Sequence, residues 1–308
     1  PTPSAQTLQL AQADEEELDA ELLAIFIEEA KEVLEAVGGN LAALREQPHN
    51  LFALARTSGF RTHWLSAQES KLLSHLGSRH LDVSITREDH PLLFLKRHDH
   101  ALVDLLGEQR WGERNFAVIN LRTAHLPYEE NYDQHHEPLP SWPVDPALPR
   151  EERQRNAYDN AIGYLDDVLA EVIARFDQLQ GERYLLITGD HGQLLGEGGR
   201  WGHNDLLPQV AEVPVMVLAR EAPEAALESL RQEQWISHHE AGLWLAERLG
   251  QRVENPNQVA GEHFVQGKQL FGDNMIQRVR ETPAGLVFDE PRLLSRWLRD
   301  LGEAPSTP

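Results

Sequence analysis

Between Tyr184 and His203 the chain has few structures open to it. Tyr184-Leu-Leu-Ile-Thr188 is a short apolar run rich in β-formers, which predicts a buried strand. The run stops at Gly189, and a carboxylate and an imidazole, Asp190 and His191, follow at once. Groups at the C-terminal end of such a strand face the crevice where open α/β sheets bind ligands. Glycines at 192, 196, 198, 199 and 202 let the backbone turn tightly and return a second imidazole, His203, twelve residues after His191. Oxygen and nitrogen donors of this kind suit a divalent cation, zinc in the first place and manganese as the alternative. The plainer reading is a strand ending in a polar turn, with Asp190 capping the next segment and both histidines in water. The strand end, the glycine-rich return and the third donor together favour a site.

The rest of the chain predicts an α/β fold with a mostly parallel sheet flanked by helices. Leu51 to Gly59 reads as a short helix ending at glycine, and Arg61-Thr-His-Trp-Leu-Ser-Ala67 as a strand in which His63 is structural. Residues 69–114 are polar and mixed. Their histidines, His75, His80, His90, His98 and His100, match no compact ligand spacing and are assigned to solvent, with a helix at Ala101 to Leu106. Phe116-Ala-Val-Ile-Asn-Leu121 predicts a second buried strand, after which His125 falls at the functional edge of the sheet or simply in a loop. His135, His136 and the proline-rich residues 138–149 form a long loop at the rim of the pocket. Apolar residues at helical spacing over 153–173 make the strongest helix, completing a β-α-β unit with a right-handed crossover into the Tyr184 strand. Val213 to Val217 reads as a further strand, and 223–232 as a helix. Ser237 with Glu240 forms a capping box opening another helix, in which His238 and His239 are assigned to packing or solvent. Short strands and an amphipathic helix over 291–301 close the chain.

Gly189-Asp190-His191-Gly192, then Gly196-Glu197-Gly198, then Gly202-His203, in that order, resemble the metal-binding signature of the alkaline phosphatase/sulfatase superfamily. The likeness is to bacterial phosphoethanolamine transferases and their sulfatase-like relatives. It extends from about residue 51 to 290, through Phe52 to Gln68, the Tyr158-Asp159-Asn160 helix motif and Val213 to Val217. The resemblance implies a sulfatase-like α/β domain over 51–308, with Asp190 and His191 as metal ligands and with His125 and His203 beside the substrate phosphate. It implies phosphoryl-group transfer, or hydrolysis of a phosphodiester or sulfate ester, on a phospholipid-derived or similar ester in the periplasm. Superfamily members attack with a Thr or Ser alkoxide or a modified Cys, supplied together with a metal-binding acidic residue by the N-terminal part of the domain. That part is expected before Leu51, where no hydroxyl in a strand-turn-helix context stands; Thr57 and Thr62 lie inside the helix-strand step. No nucleophile is nominated.

Residues 1–50 instead form an acidic helical segment. Apolar residues from Leu18 to Val37 follow Asp14-Glu-Glu-Glu17 at mostly helical spacing. Asp19 to Glu35, within residues 14–45, resembles the first helix of histidine phosphotransfer domains, without their phosphoaccepting histidine motif. The start at Pro1, without an initiator methionine, reads as an excised or engineered piece, and the join as a fusion or chimera. Acidic residues outnumber basic ones by 50 to 28, a net charge of −22 that opposes nucleic acid and anionic membrane surfaces as partners. The chain has no cysteine, so disulfides, thiolate metal sites and a cysteine nucleophile are excluded. No apolar run reaches the roughly 18 residues of a membrane span. The rival expectation, from a different class, is a non-catalytic module in which the acidic helix mediates self-association or partner binding.

Overall fold

The computed structural model describes residues 50–70, 77–133, 142–254, 259–268 and 274–303. The acidic helix, His75, His135 and His136 lie outside the described residues. In chain order the elements are α1 (Leu51–Thr57), β1 (Arg61–Ser66), β2 (Val83–Ile85), α2 (Pro91–Arg97), α3 (His100–Glu108), β3 (Asn115–Asn120), α4 (Arg150–Gln178) and β4 (Arg183–Thr188). Then come β5 (Leu194–Leu195), β6 (Trp201–Gly202), α5 (Pro208–Ala211), β7 (Val215–Arg220), α6 (Glu228–Gln232), α7 (His238–Arg248), β8 (Glu262–Lys268), β9 (Asn274–Thr282), β10 (Gly285–Phe288), β11 (Arg292–Leu293) and α8 (Leu294–Glu303). None of the described helices is long and apolar enough to cross a membrane. The described residues divide into two compact units, those up to 89 together with 111–120, and 90–110 together with those from 121 onward.

In the first unit, β2-β1-β3 form a parallel sheet, with Arg61 to Ser66 in register with Asn115 to Asn120. This is the parallel sheet that the apolar runs predict. The Asn50 side chain caps α1 by accepting from the backbone N–H of Phe52 at 2.9 Å. Phe52 then packs edge-to-face on Phe116 and on Trp64. Residues 62 to 66 are all buried, as expected of a parallel strand covered on both faces. His63 is among them, its ring against Trp111, in the structural role that the strand pattern assigns to it.

The second unit is built on α4, whose Ala157, Ala161, Tyr164, Val168, Val172 and Phe176 are buried at intervals of three and four residues. Here the expected β-α-β crossover is corrected. β4 pairs with β7, antiparallel, from Arg183↔Arg220 to Thr188↔Val215, whereas β3 belongs to the parallel sheet with β1. A six-residue apolar run carries no mark of strand direction, and period alone could not separate the two pairings. The assignment of all the upstream histidines to solvent is also corrected, because His100 at the start of α3 is buried. The capping box of α7 forms as expected, with Glu240 accepting from the Ser237 N–H at 2.8 Å and its own N–H donating to the Ser237 hydroxyl at 3.2 Å. Strands β8 to β11 make an antiparallel sheet around β9, and α8 follows.

Candidate metal centre

Strand β4 ends at Thr188 and the chain turns through Gly189 into Asp190 and His191. The turn needs glycine at 192. Its N–H donates to the Val210 carbonyl at 2.7 Å, and a Cβ there would stand 2.1 Å from the Gln209 carbonyl oxygen. Asp190 is exposed and accepts from the His191 backbone N–H through Oδ1 at 3.0 Å. His191 Nδ1 lies 2.9 Å from the Gly192 carbonyl, which assigns the proton to Nδ1 and leaves the lone pair on Nε2. That nitrogen is 3.8 Å from Asp190 Oδ2.

The glycine-rich return is a small hairpin, β5 pairing β6 through Leu194↔Gly202 and Leu195↔Trp201. Arg155 on α4 holds it, donating from Nε to the Leu195 carbonyl at 2.8 Å with its guanidinium over the Trp201 ring. Gly196 turns at φ +106, and a Cβ there would lie 2.5 Å from the Arg155 guanidinium. Just past β6, His203 stacks on His191, ring centroids 4.0 Å apart and planes within 18°. Burial first, then nearby His191 and His125, lower the His203 pKa to about 4 against the opposing pull of Asp190. The ring is therefore neutral near pH 7.

His125 reaches the neighbourhood of His203 on a loop fixed by a buried carboxylate. Asp99 Oδ2 accepts from the Arg122 and Thr123 backbone N–H groups, both at 2.8 Å, and from the Thr123 hydroxyl at 2.6 Å. Burial holds the Asp99 carboxyl above the usual range against those three donors. Asn131 ties the other end, donating to the His125 and Pro127 carbonyls at 2.8 and 2.9 Å. The structure thus brings Asp190, His191, His203 and His125 into one neighbourhood.

The donor chemistry at Asp190 and His191 fits a divalent metal. A carboxylate and a neutral imidazole, whose other N–H is held by a backbone carbonyl, are standard ligand partners. Their 3.8 Å separation is spanned by two bonds of about 2.1 Å. Stacked face-on to His191, His203 does not converge edge-on with it, and among the described residues no third His, Cys, Asp or Glu completes a ligand group there.

One contributor at the end of β4 itself was not legible in the sequence. His238, assigned to packing or solvent, is exposed but sets Nε2 2.9 Å from the Gly189 carbonyl and 3.4 Å from the Thr188 hydroxyl, just ahead of Asp190. The capping box reveals where α7 starts; nothing in the sequence shows that this start faces the end of β4.

A family model described as Sulfatase matches residues 30–241. The chain is 34% identical over 134 residues to the low-salt glycan biosynthesis sulfotransferase Agl7 of Haloferax volcanii, covering 40% of this chain and 32% of that protein. Among solved structures it is similar to the zinc complex of the C-terminal periplasmic domain of EcEptC from Escherichia coli, at 21% identity and TM-score 0.42, over 54% of this chain and 50% of that one. It is also similar to the soluble domain of lipooligosaccharide phosphoethanolamine transferase A from Neisseria meningitidis, at 16% and 0.43, over 62% and 58%. A third likeness is to the phosphonate monoester hydrolase of Agrobacterium radiobacter, at 13% and 0.46, over 82% and 76%. The chain spans about a third of the sulfotransferase and half of the EcEptC domain.

Proposed function

The chain belongs to the sulfatase family, and on that footing we propose that it serves transfer or hydrolysis of a phosphate or sulfate ester, with Asp190 and His191 holding a divalent metal. One observation supports this reading above the others. At a strand end, the His191 ring is fixed by the Gly192 carbonyl with Nε2 beside the Asp190 carboxylate, and His203 is stacked on it with His125 close by. When bound, zinc or manganese neutralises charge on the ester oxygens and lowers the pKa of an attacking hydroxyl or water. His203, neutral, can donate an N–H to an ester oxygen without competing for the metal by charge, and His125 supplies a second contact of that kind. A chain of net charge −22 would otherwise repel an anionic ester, and a cation reverses the potential locally. The substrate class that goes with this reading is a phospholipid-derived or other phosphate or sulfate ester. The compartment is the periplasm, with zinc ahead of manganese as the metal.

No described hydroxyl is assigned as nucleophile. Thr57 Oγ1 donates to the Ala53 carbonyl at 2.9 Å, and Thr62 Oγ1 to the His80 carbonyl at 2.6 Å, so the fold uses both. That favours, as a second reading, a non-catalytic module in which the acidic segment binds a partner or a second copy. Metal content after dialysis, with turnover of a chromogenic phosphodiester and a chromogenic sulfate ester, separates the two. The expected result is one zinc equivalent fewer in Asp190→Ala, with turnover lost alongside it. Turnover that survives Asp190→Ala would sink the first reading; wild type with neither turnover nor Asp190-dependent metal would leave the second.

A further inference from the structure

Asp167 and Glu171 stand one turn apart on α4, so their carboxylates leave the same face of the helix. The His100 ring, 3% exposed, lies between them. Its Nδ1 is 3.1 Å from Glu171 Oε2, and its Nε2 is 3.5 Å from Asp167 Oδ2. Tyr164, on the same helix, packs edge-to-face on the imidazole at 5.0 Å and fixes its plane. One donor atom from each of His100, Asp167 and Glu171 falls within 4.8 Å of the other two, and no other His, Cys, Asp or Glu trio among the described residues does this.

A neutral imidazole has one N–H and one lone pair. With carboxylate oxygens facing both nitrogens, a neutral ring must turn its lone pair toward an anion at one side or the other. A proton on the ring balances one of the two carboxylates, whereas a divalent ion balances both, in a chain already carrying −22. Tetrahedral ligation with bonds of about 2.0–2.2 Å needs donors about 3.5 Å apart. One ion takes only one of the two ring nitrogens, so the carboxylate at the other nitrogen has to swing to it; the Asp167 and Glu171 side chains, 37% and 47% exposed, are the groups free to move, whereas the buried ring is not. Their outer side remains open for a water ligand. We propose that His100, Asp167 and Glu171 form a second site for a divalent transition-metal ion of the zinc class, separate from Asp190 and His191.

Zinc chloride titrated calorimetrically into the chelator-stripped full chain tests this, with bound metal counted after dialysis. The variants are Asp190→Ala, Glu171→Gln and the two combined, each checked by circular dichroism. His100→Ala is avoided because it would empty a buried position. Two equivalents are expected in wild type, one in each single variant and none in the double. Full loss of zinc in Asp190→Ala, or a count unchanged by Glu171→Gln, would overturn the second site and leave His100 as a hydrogen-bonded bridge between two carboxylates. One equivalent in wild type, kept in Asp190→Ala and lost in Glu171→Gln, would instead sink the Asp190 reading and leave this one standing.

Discussion

Two residues outside the proposed ligand set decide the geometry of the Asp190-His191 turn and of the loop beside it. A methyl group at 192 cannot coexist with the Gln209 carbonyl 2.1 Å away, so Gly192→Ala must move the backbone that orients His191. We expect Gly192→Ala to lose about 1–3 kcal/mol of stability in urea denaturation, together with whatever metal the proposed Asp190-His191 site holds. Asp99 acts on the His125 loop through three hydrogen bonds that converge on one oxygen. Asp99→Ala leaves those donors buried without an acceptor, and about 3 kcal/mol should be lost. Asp99→Asn keeps an acceptor oxygen and removes a charge that burial disfavours, so it should cost less than half as much; equal losses in the two variants would show that the charge matters. That Asp190, His191 and His203 lie together was legible from the sequence because they share one glycine-spaced stretch. Asp99 and His238 were not, because each acts on a segment 23 or more residues away.

Among elements, the β5-β6 hairpin has only two residue pairs of its own and depends on α4 to hold its shape. Arg155 provides that hold with one hydrogen bond to the Leu195 carbonyl and the contact over Trp201. Arg155→Ala should therefore speed amide exchange across residues 194–202 by about tenfold, the equivalent of a lost bond of about 1 kcal/mol or slightly more. Exchange in the interior of α4 should barely change; a uniform increase over the whole unit would argue against a local role. The helices show what periodicity can and cannot supply. α4 was legible because six buried positions repeat over 29 residues, and α7 because its capping box is written in two residues. α2 was not foreseen, since its seven residues lie in a polar stretch and leave Leu92 and Leu95 exposed, so no apolar face marks it.

For the molecule as a whole, charge is the property that composition determines most directly. At −22 the folded chain repels itself, and salt screens that repulsion. Melting followed by circular dichroism should show Tm rising between about 0.01 and 0.15 M sodium chloride, over which the Debye length falls from about 30 to 8 Å. A falling Tm would mean that ion pairs such as Arg183–Glu221 and Arg280–Asp289 outweigh the net repulsion. The sequence alone determined the mixed helix-strand order, the buried β1 run, the β3 strand (half-buried rather than buried as expected), the long α4 and the ordered series from Gly189 to His203, because each is written in the period or spacing of neighbouring residues. Tertiary structure decided what depends on separation along the chain: that β4 pairs antiparallel with β7, that His238 meets Gly189, and that His100 is buried between Asp167 and Glu171. Strand direction and contacts across dozens of residues leave no local periodicity, since any short apolar run or polar side chain satisfies several partners until packing selects one.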